Sequence, residues 1–294
     1  MNSLSTNQQT IDNQGGLEEL IQILGYETLR KSALAAMLDS GCFEIRGERL
    51  CLTSKARPSV VLGFVYESLI AHALRQDFWL RWKVFNWCTE QAYTQEEVYS
   101  GKGYKDINEL LFSIKVICKG GNFTKYQEPQ EYCPSCSNDI IFIVKNRLAM
   151  RDEVVGGFQI KAITQGEMKN IINPILQGKY QYVLTIFGDS YSRCMKRIQE
   201  LVKKEQITQE IANSLITKII TAQNLGKDIE LLCDWMGKKL YKFIVKGKKI
   251  ENLQNQFLLD GAINYSLSEL GGNYIYIPNV NDFIVPQPLI KIGN

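Results

Sequence analysis

The chain has 294 residues, 45% of them hydrophobic and 22% charged, and 34 Lys and Arg against 31 Asp and Glu leave a formal charge of +3. That size and balance suit a globular fold of one or two domains, and they exclude a low-complexity or highly charged disordered polymer. No charge-poor apolar run of about 18 residues is present, so no membrane span is expected, and the mild positive charge permits nucleic acid as a partner without requiring it.

The first sixteen residues, MNSLSTNQQTIDNQGG, are polar and carry no apolar core of the signal-peptide kind. They are expected to form a disordered leader, and with it a cytoplasmic location. The eight cysteines are then expected to be free thiols or metal ligands. Residues 17–57 have their own pattern. LEELIQILG and ETLRKSALAAMLDSG are helical stretches stopped by Gly25 and Gly41, and CFEIRGERLCLTS alternates around an Arg-Gly-Glu turn. Helices followed by a hairpin carrying Arg46 and Arg49, with Arg30 and Lys31 upstream and Lys55 and Arg57 just after it, have the order of a winged helix. A small helical cap with solvated arginines has the same pattern.

Pro58 restarts the chain. SVVLGFVYESLIAHALRQ predicts a strongly apolar helix with Ser59 as its N-cap. Ser68, His72, Arg75 and Gln76 line its polar face, where His72 is expected at the surface rather than as a catalytic base. Glu67 instead falls in line with Val60, Phe64, Ala71 and Leu74, on the core stripe. A carboxylate there needs a partner or a metal, or sits at a boundary where it reaches solvent or an arginine. The tryptophan-rich segment from Asp77 is expected to be helical to about Tyr99. Residues 106–118 fit helix or strand equally, and KGGNFTKYQEPQEYCPSCS is a loop. Cys133 and Cys136 have zinc-knuckle spacing, with Cys118 upstream and Cys88 or Cys194 needed as a fourth ligand. Unbonded thiols in a turn are the other reading.

DIIFIVKN and VVGGFQIKAIT are β-rich runs joined by a short polar stretch, so an antiparallel pair is expected, with Asp152 and Glu153 in its solvated loop. Gly156 and Gly157 mark a bulge or a close backbone approach. QGEMKNIINPILQGK predicts a helix bent or ended near Pro174, and YQYVLTIFGD a third strand. Beyond Ser190 three helical stretches are expected, SRCMKRIQELVKKEQ, TQEIANSLITKIITAQNLG and DIELLCDWMGKKLYKFI. Lys238, Lys239, Lys242, Lys246, Lys248 and Lys249 surround Tyr241 and Phe243 there. They suit either a phosphate backbone or a solvated helix end. The tail from 251 holds turns and short strands, GGNYIYIPNV the clearest.

A lysine inside VVGGFQIKAIT requires a reason. Gln159 and Lys161 alternate on one strand and so share a face. In an antiparallel register Asp139, at the head of the partner strand, comes near them. A carboxylate, an amide oxygen and an ammonium then converge, oxygen ligands suit a hard ion such as Mg2+, and a lysine beside such an ion can orient an attacking water.

Asp139, the FQIKA strand, a helix and the YVLTI strand resemble the PD-(D/E)xK nuclease superfamily, the fold of many type II restriction endonucleases, over about residues 59–190. The resemblance implies an α/β, restriction-endonuclease-like core at 58–190, a mixed sheet flanked by helices. A winged-helix-like segment at 17–57 and a helical and mixed region at 191–294 would flank it. It implies a Mg2+-dependent endonuclease that cuts a specific double-stranded DNA site as a homodimer. Asp139 and Glu67 would hold the metal with Gln159 and Ile160, and Lys161 would position the water. Asn138 stands where the family has proline, and Gln159 where an acid is usual. A non-catalytic DNA-binding protein with a vestigial core, or a repair or recombination nuclease, are the alternatives. No P-loop, GxSxG or dinucleotide-binding fingerprint is present.

Overall fold

A computed structural model describes residues 33, 35–46 and 49–247. The leader, the first helical stretch, Arg30 and Lys31, the hairpin turn and the tail from residue 248 lie outside them, as do the side chains of Arg46, Arg49, Lys238, Lys239, Lys242, Phe243 and Lys246. The described chain divides into two compact units, one of residues 33–69 and 227–247, the other of residues 70–226.

In the first unit, strands β1 (Phe43–Arg46) and β2 (Arg49–Leu52) form the expected hairpin, in the register Phe43↔Leu52 to Arg46↔Arg49. Helix α1 (Pro58–Gln76) follows and runs on into the second unit. Pro58 opens it rather than Ser59, because the Arg57 carbonyl already accepts the amides of Val60 and Val61. Proline suits that first position, its ring fixing a helical φ where no N–H is needed. The expected polar face of α1 is not a solvent face. Ser68 and His72 are buried, the Gln76 amide bonds to the His72 ring at 2.7 Å, and Arg75 Nε donates to the Val116 carbonyl at 3.0 Å. Helix α6 closes the unit at Lys227–Gly247, and the buried Tyr66 hydroxyl donates to the Cys233 carbonyl at 2.9 Å.

The second unit is built on a mixed five-stranded sheet in the order β3-β4-β5-β6-β7. Helix α2 (Phe78–Cys88) is capped by the Asp77 side chain, which accepts from Leu80 N. It stops at Cys88 rather than near Tyr99, because Glu90 and Gln91 both take positive φ; a 3-10 turn at Ala92–Thr94 and a short helix at Glu96–Ser100 follow. The ambiguous segment is both things in turn: helix α3 (Ile107–Ser113), capped by Asp106, then strand β3 (Lys115–Cys118). Strand β4 (Ile140–Asn146) pairs antiparallel with β3 and with β5 (Arg151–Lys161). A π-turn at Met168–Ile172 and a helical turn at Asn173–Leu176 lead to β6 (Val183–Thr185), parallel to β5.

Helices α4 (Gly188–Lys203) and α5 (Gln209–Thr217) follow, and then β7 (Ile219–Thr221), parallel to β6. The stretch expected to be one helix from Thr208 to Gly226 is therefore interrupted by a strand, and the sheet extends past residue 190. Asp152 and Glu153 belong to β5 rather than to a solvated turn. Asp152 accepts from Lys115 at 2.9 Å, and Glu153 from Asn146 and Lys102.

Two interiors hold the sheet. On one side Ile171, Ile172, Ile175, Val183, Cys194, Ile198, Leu215 and Ile219 pack together. On the other, α2 presents Phe85 to Phe142 and Trp87 to Phe158 and Tyr182, with ring centroids 5.6, 5.8 and 5.0 Å apart. Burial of such rings supplies a large share of a domain's stability. The two glycines of β5 serve this packing. Phe142 pairs with Gly156 and Ile143 with Val154, so β5 carries a bulge, and a Cβ on Gly156 would meet the Cys88 carbonyl at 3.1 Å. A Cβ on Gly157 would lie 2.7 Å from the Ile140 carbonyl and 2.9 Å from Asn138 Nδ2. Gly157→Ala is therefore expected to cost roughly 1–3 kcal/mol in urea unfolding, because a backbone carbonyl cannot swing away as a side chain can. An unchanged midpoint would show that the strands part without penalty.

Candidate functional site

Asp139 stands one residue before β4, where the antiparallel pair is still held together on its main chain. Its N–H donates to the Phe158 carbonyl at 3.0 Å, and its carbonyl accepts from Lys119 N at 2.7 Å. The side chain is buried, and its Oδ2 accepts two hydrogen bonds from β5: Ile160 N at 2.7 Å and Gln159 Nε2 at 2.5 Å. Among the described residues no donor meets Oδ1. Burial pushes the carboxyl up to about 6, against the Ile160 amide, the Lys161 charge and the Gln159 amide, which all favour the ionised form.

Gln159 is buried as well, and its Oε1 has no hydrogen-bond partner. The amide can meet the carboxylate only through its nitrogen, since oxygen against oxygen would repel; its own oxygen is left over. A buried acceptor without a donor is costly, and one beside an under-coordinated carboxylate calls for a cation or a water. The site thus offers two kinds of oxygen at one place, an anionic one on Asp139 and an amide one on Gln159, while Ile160 meets the carboxylate through its N–H. These are ligands a hard divalent ion accepts.

Lys161 lies two residues beyond Gln159, opposite Thr185 in the parallel register, and is half-buried rather than buried. Its Nζ lies 4.8 Å from the centroid of the Tyr180 ring. That cation–π contact, together with the Asp139 charge, explains how the lysine is accommodated at the end of an apolar strand. Tyr180 was not singled out in the sequence, where it is one aromatic among several before β6.

The structure therefore brings together Asp139, Gln159, Ile160 and Lys161. Glu67 belongs to the other unit, half-buried on α1, where it adds to the effect of burial in raising the Cys42 thiol. Among the described residues no group of three or more His, Cys, Asp and Glu side chains could hold an ion, so a metal here would rest on one carboxylate and neutral oxygens. The CPSC cysteines are neither zinc ligands nor thiols: Cys133 and Cys136 are joined as a disulfide. No helix among the described residues is long and apolar enough to cross a membrane. A scan of protein-family models and searches for similar curated proteins and for similar solved structures return no match to this chain.

Proposed function

We propose that the protein is a Mg2+-dependent endonuclease that hydrolyses phosphodiester bonds of double-stranded DNA, in the manner of a type II restriction enzyme working as a homodimer. The observation that carries this reading is one buried amide oxygen without a donor, Gln159 Oε1, held against the Asp139 carboxylate, with a lysine on the same strand face. The order of elements around it, an antiparallel pair, a helical turn and a parallel third strand, supports the same reading.

Asp139, Gln159 and the main chain of Ile160 would hold the ion, which when bound supplies positive charge against a phosphate that gains negative charge in the transition state. Ile160 N–H and Gln159 Nε2 fix the orientation of the carboxylate through Oδ2 and leave its other oxygen available. Lys161, steered by Tyr180, holds its ammonium beside that carboxylate and can orient a water toward the scissile phosphorus. A second reading, a DNA-binding protein with a vestigial core, is favoured by one fact: Oδ2 of Asp139 already serves as a structural acceptor for β5.

Cleavage of supercoiled plasmid with Mg2+ or EDTA, by wild type and Lys161→Ala, separates the two. Mg2+-dependent discrete bands are expected, and the variant should lose at least ~10²-fold in rate with its unfolding midpoint nearly unchanged, because a half-exposed lysine contributes little to the core. Smearing or branch-selective cutting would mean a repair nuclease. Duplex binding without any cutting would leave the non-catalytic reading.

A further inference from the structure

We infer that the Cys133–Cys136 pair is a thiol–disulfide exchange site, opened by a dithiol reductant, which governs how firmly the Asp139 main chain is anchored. Two independent features point to it. The first is access. Cys136 is exposed and Cys133 half-exposed, whereas Cys42, Cys88, Cys194 and Cys233 are buried thiols that are raised by burial. Exchange requires a thiolate to reach a disulfide sulfur, so an outside dithiol can attack this exposed pair, and those buried thiols are not placed to compete for it.

The second is the wiring of the loop. Cys133 N donates to the Lys119 carbonyl at 2.9 Å, and Lys119 N donates to the Asp139 carbonyl at 2.7 Å. Lys119 is thus clamped on both sides, by the start of the disulfide turn and by the candidate ligand. Cys136 N donates back to the Cys133 carbonyl at 3.1 Å, and only Ser137 and Asn138 separate Cys136 from Asp139. The turn therefore sets the path by which the chain enters β4. A bond across a sequence separation of 3 closes a very short loop, and the entropy a cross-link removes from the unfolded chain grows with loop length. Its effect is local rather than global, as a switch requires.

The exchange balances as follows. One thiolate of the dithiol attacks the exposed Cys136 sulfur; the S–S bond breaks and Cys133 leaves as a thiolate that takes up a proton. The second thiolate of the reductant attacks its own sulfur in the mixed disulfide and expels Cys136, which is likewise protonated. Two electrons pass to the protein, and the reductant becomes a cyclic disulfide. The freed turn loses the constraint that holds Cys133 against Lys119, and the Lys119–Asp139 link loosens with it. The consequence for cleavage rests on the nuclease reading; the consequence for the loop does not.

The test treats the folded, full chain with dithiothreitol, maps new thiols with a maleimide by peptide mass spectrometry, and follows amide hydrogen exchange. Labelling is expected at Cys133 and Cys136 without unfolding, with exchange at Cys133 and Lys119 about tenfold faster or more, reversed by re-oxidation and reproduced by Cys133→Ser/Cys136→Ser. Cleavage should then need several-fold more Mg2+. Release of the thiols only on unfolding would overturn the inference, as would exchange at Lys119 unchanged by reduction, or a pair that cannot be oxidised in the folded chain. Plasmid left uncut in both redox states, with the loop responding as stated, would overturn the nuclease reading and leave the exchange site standing.

Discussion

Asp139→Asn should make the metal-free protein more stable at neutral pH and inactive. The carboxyl titrates near 6 in the folded chain against an ordinary 3.8. A folded state that holds its proton more tightly than the unfolded one loses stability as pH rises through that interval, so the penalty is absent below about pH 4 and complete above about pH 6. A displacement of about two units corresponds to roughly 3 kcal/mol. Asparagine retains an oxygen to accept from Ile160 N and Gln159 Nε2 and never has to ionise. Thermal melts in EDTA should therefore coincide with wild type at pH 4 and rise roughly 5–10 °C above it at pH 7.5. Mg2+ should raise the melting temperature of the wild type and not of the variant, since only an ion that binds the folded state stabilises it. Cleavage should fall by ~10²-fold or more, the usual cost of removing a charge-stabilising group. An Asp139→Asn protein less stable than wild type at every pH would mean that the carboxylate is a structural anchor and not a strained ligand.

Much of this site was legible because its signals are short-range. DIIFIVKN and VVGGFQIK are rich in β-branched and aromatic residues, and an interval of a few polar residues between such runs leaves little but an antiparallel pair. Alternation then puts Gln159 and Lys161 on one face without any knowledge of the rest. Gly157 was legible for the same reason: a strand glycine marks a close approach, and here the Ile140 carbonyl stands 2.7 Å from the absent Cβ.

What was missed depended on longer range or on finer geometry. The three residues of β7, Ile219–Thr221, lie between a helix and a helical turn in a stretch whose apolar spacing is helical throughout. Only pairing with β6, thirty-odd residues earlier in the chain, makes them a strand. One cue was present: Thr221 and Asn224 form a capping box, so a helix had to begin anew there. The break after α2 had no cue at all, since Glu90 and Gln91 take positive φ without a glycine. Spacing brought Gln159 near Asp139 but could not say which end of its amide faces the carboxylate. That single orientation changes residue 159 from a ligand alone into a donor that also holds the ligand in place.

That orientation also dictates what an acid at 159 would do. Gln159→Glu replaces the donor 2.5 Å from Asp139 Oδ2 with a second carboxylate. Two buried like charges at contact cannot both ionise, so one group must keep its proton and bridge to the other. The pair's upper pKa is raised, and the stability of the metal-free variant is present below that pKa and lost as pH rises through it. In EDTA the variant should approach wild type near pH 5 and fall at least ~3 kcal/mol below it at pH 8, the cost of a displacement of two units or more. A divalent ion reverses this, because it draws both carboxylates into ionised ligands, which bind it better than an amide does. The gain in unfolding free energy on adding Mg2+ should thus be larger in the variant than in wild type, and half-maximal cleavage should need about tenfold less Mg2+, a decade in affinity corresponding to roughly 1.4 kcal/mol. Equal stability of the two proteins in EDTA at pH 8 would mean that residue 159 is not held against Asp139. A variant destabilised in EDTA that Mg2+ fails to rescue would mean that the pair meets no divalent ion, and the endonuclease reading would fall with it.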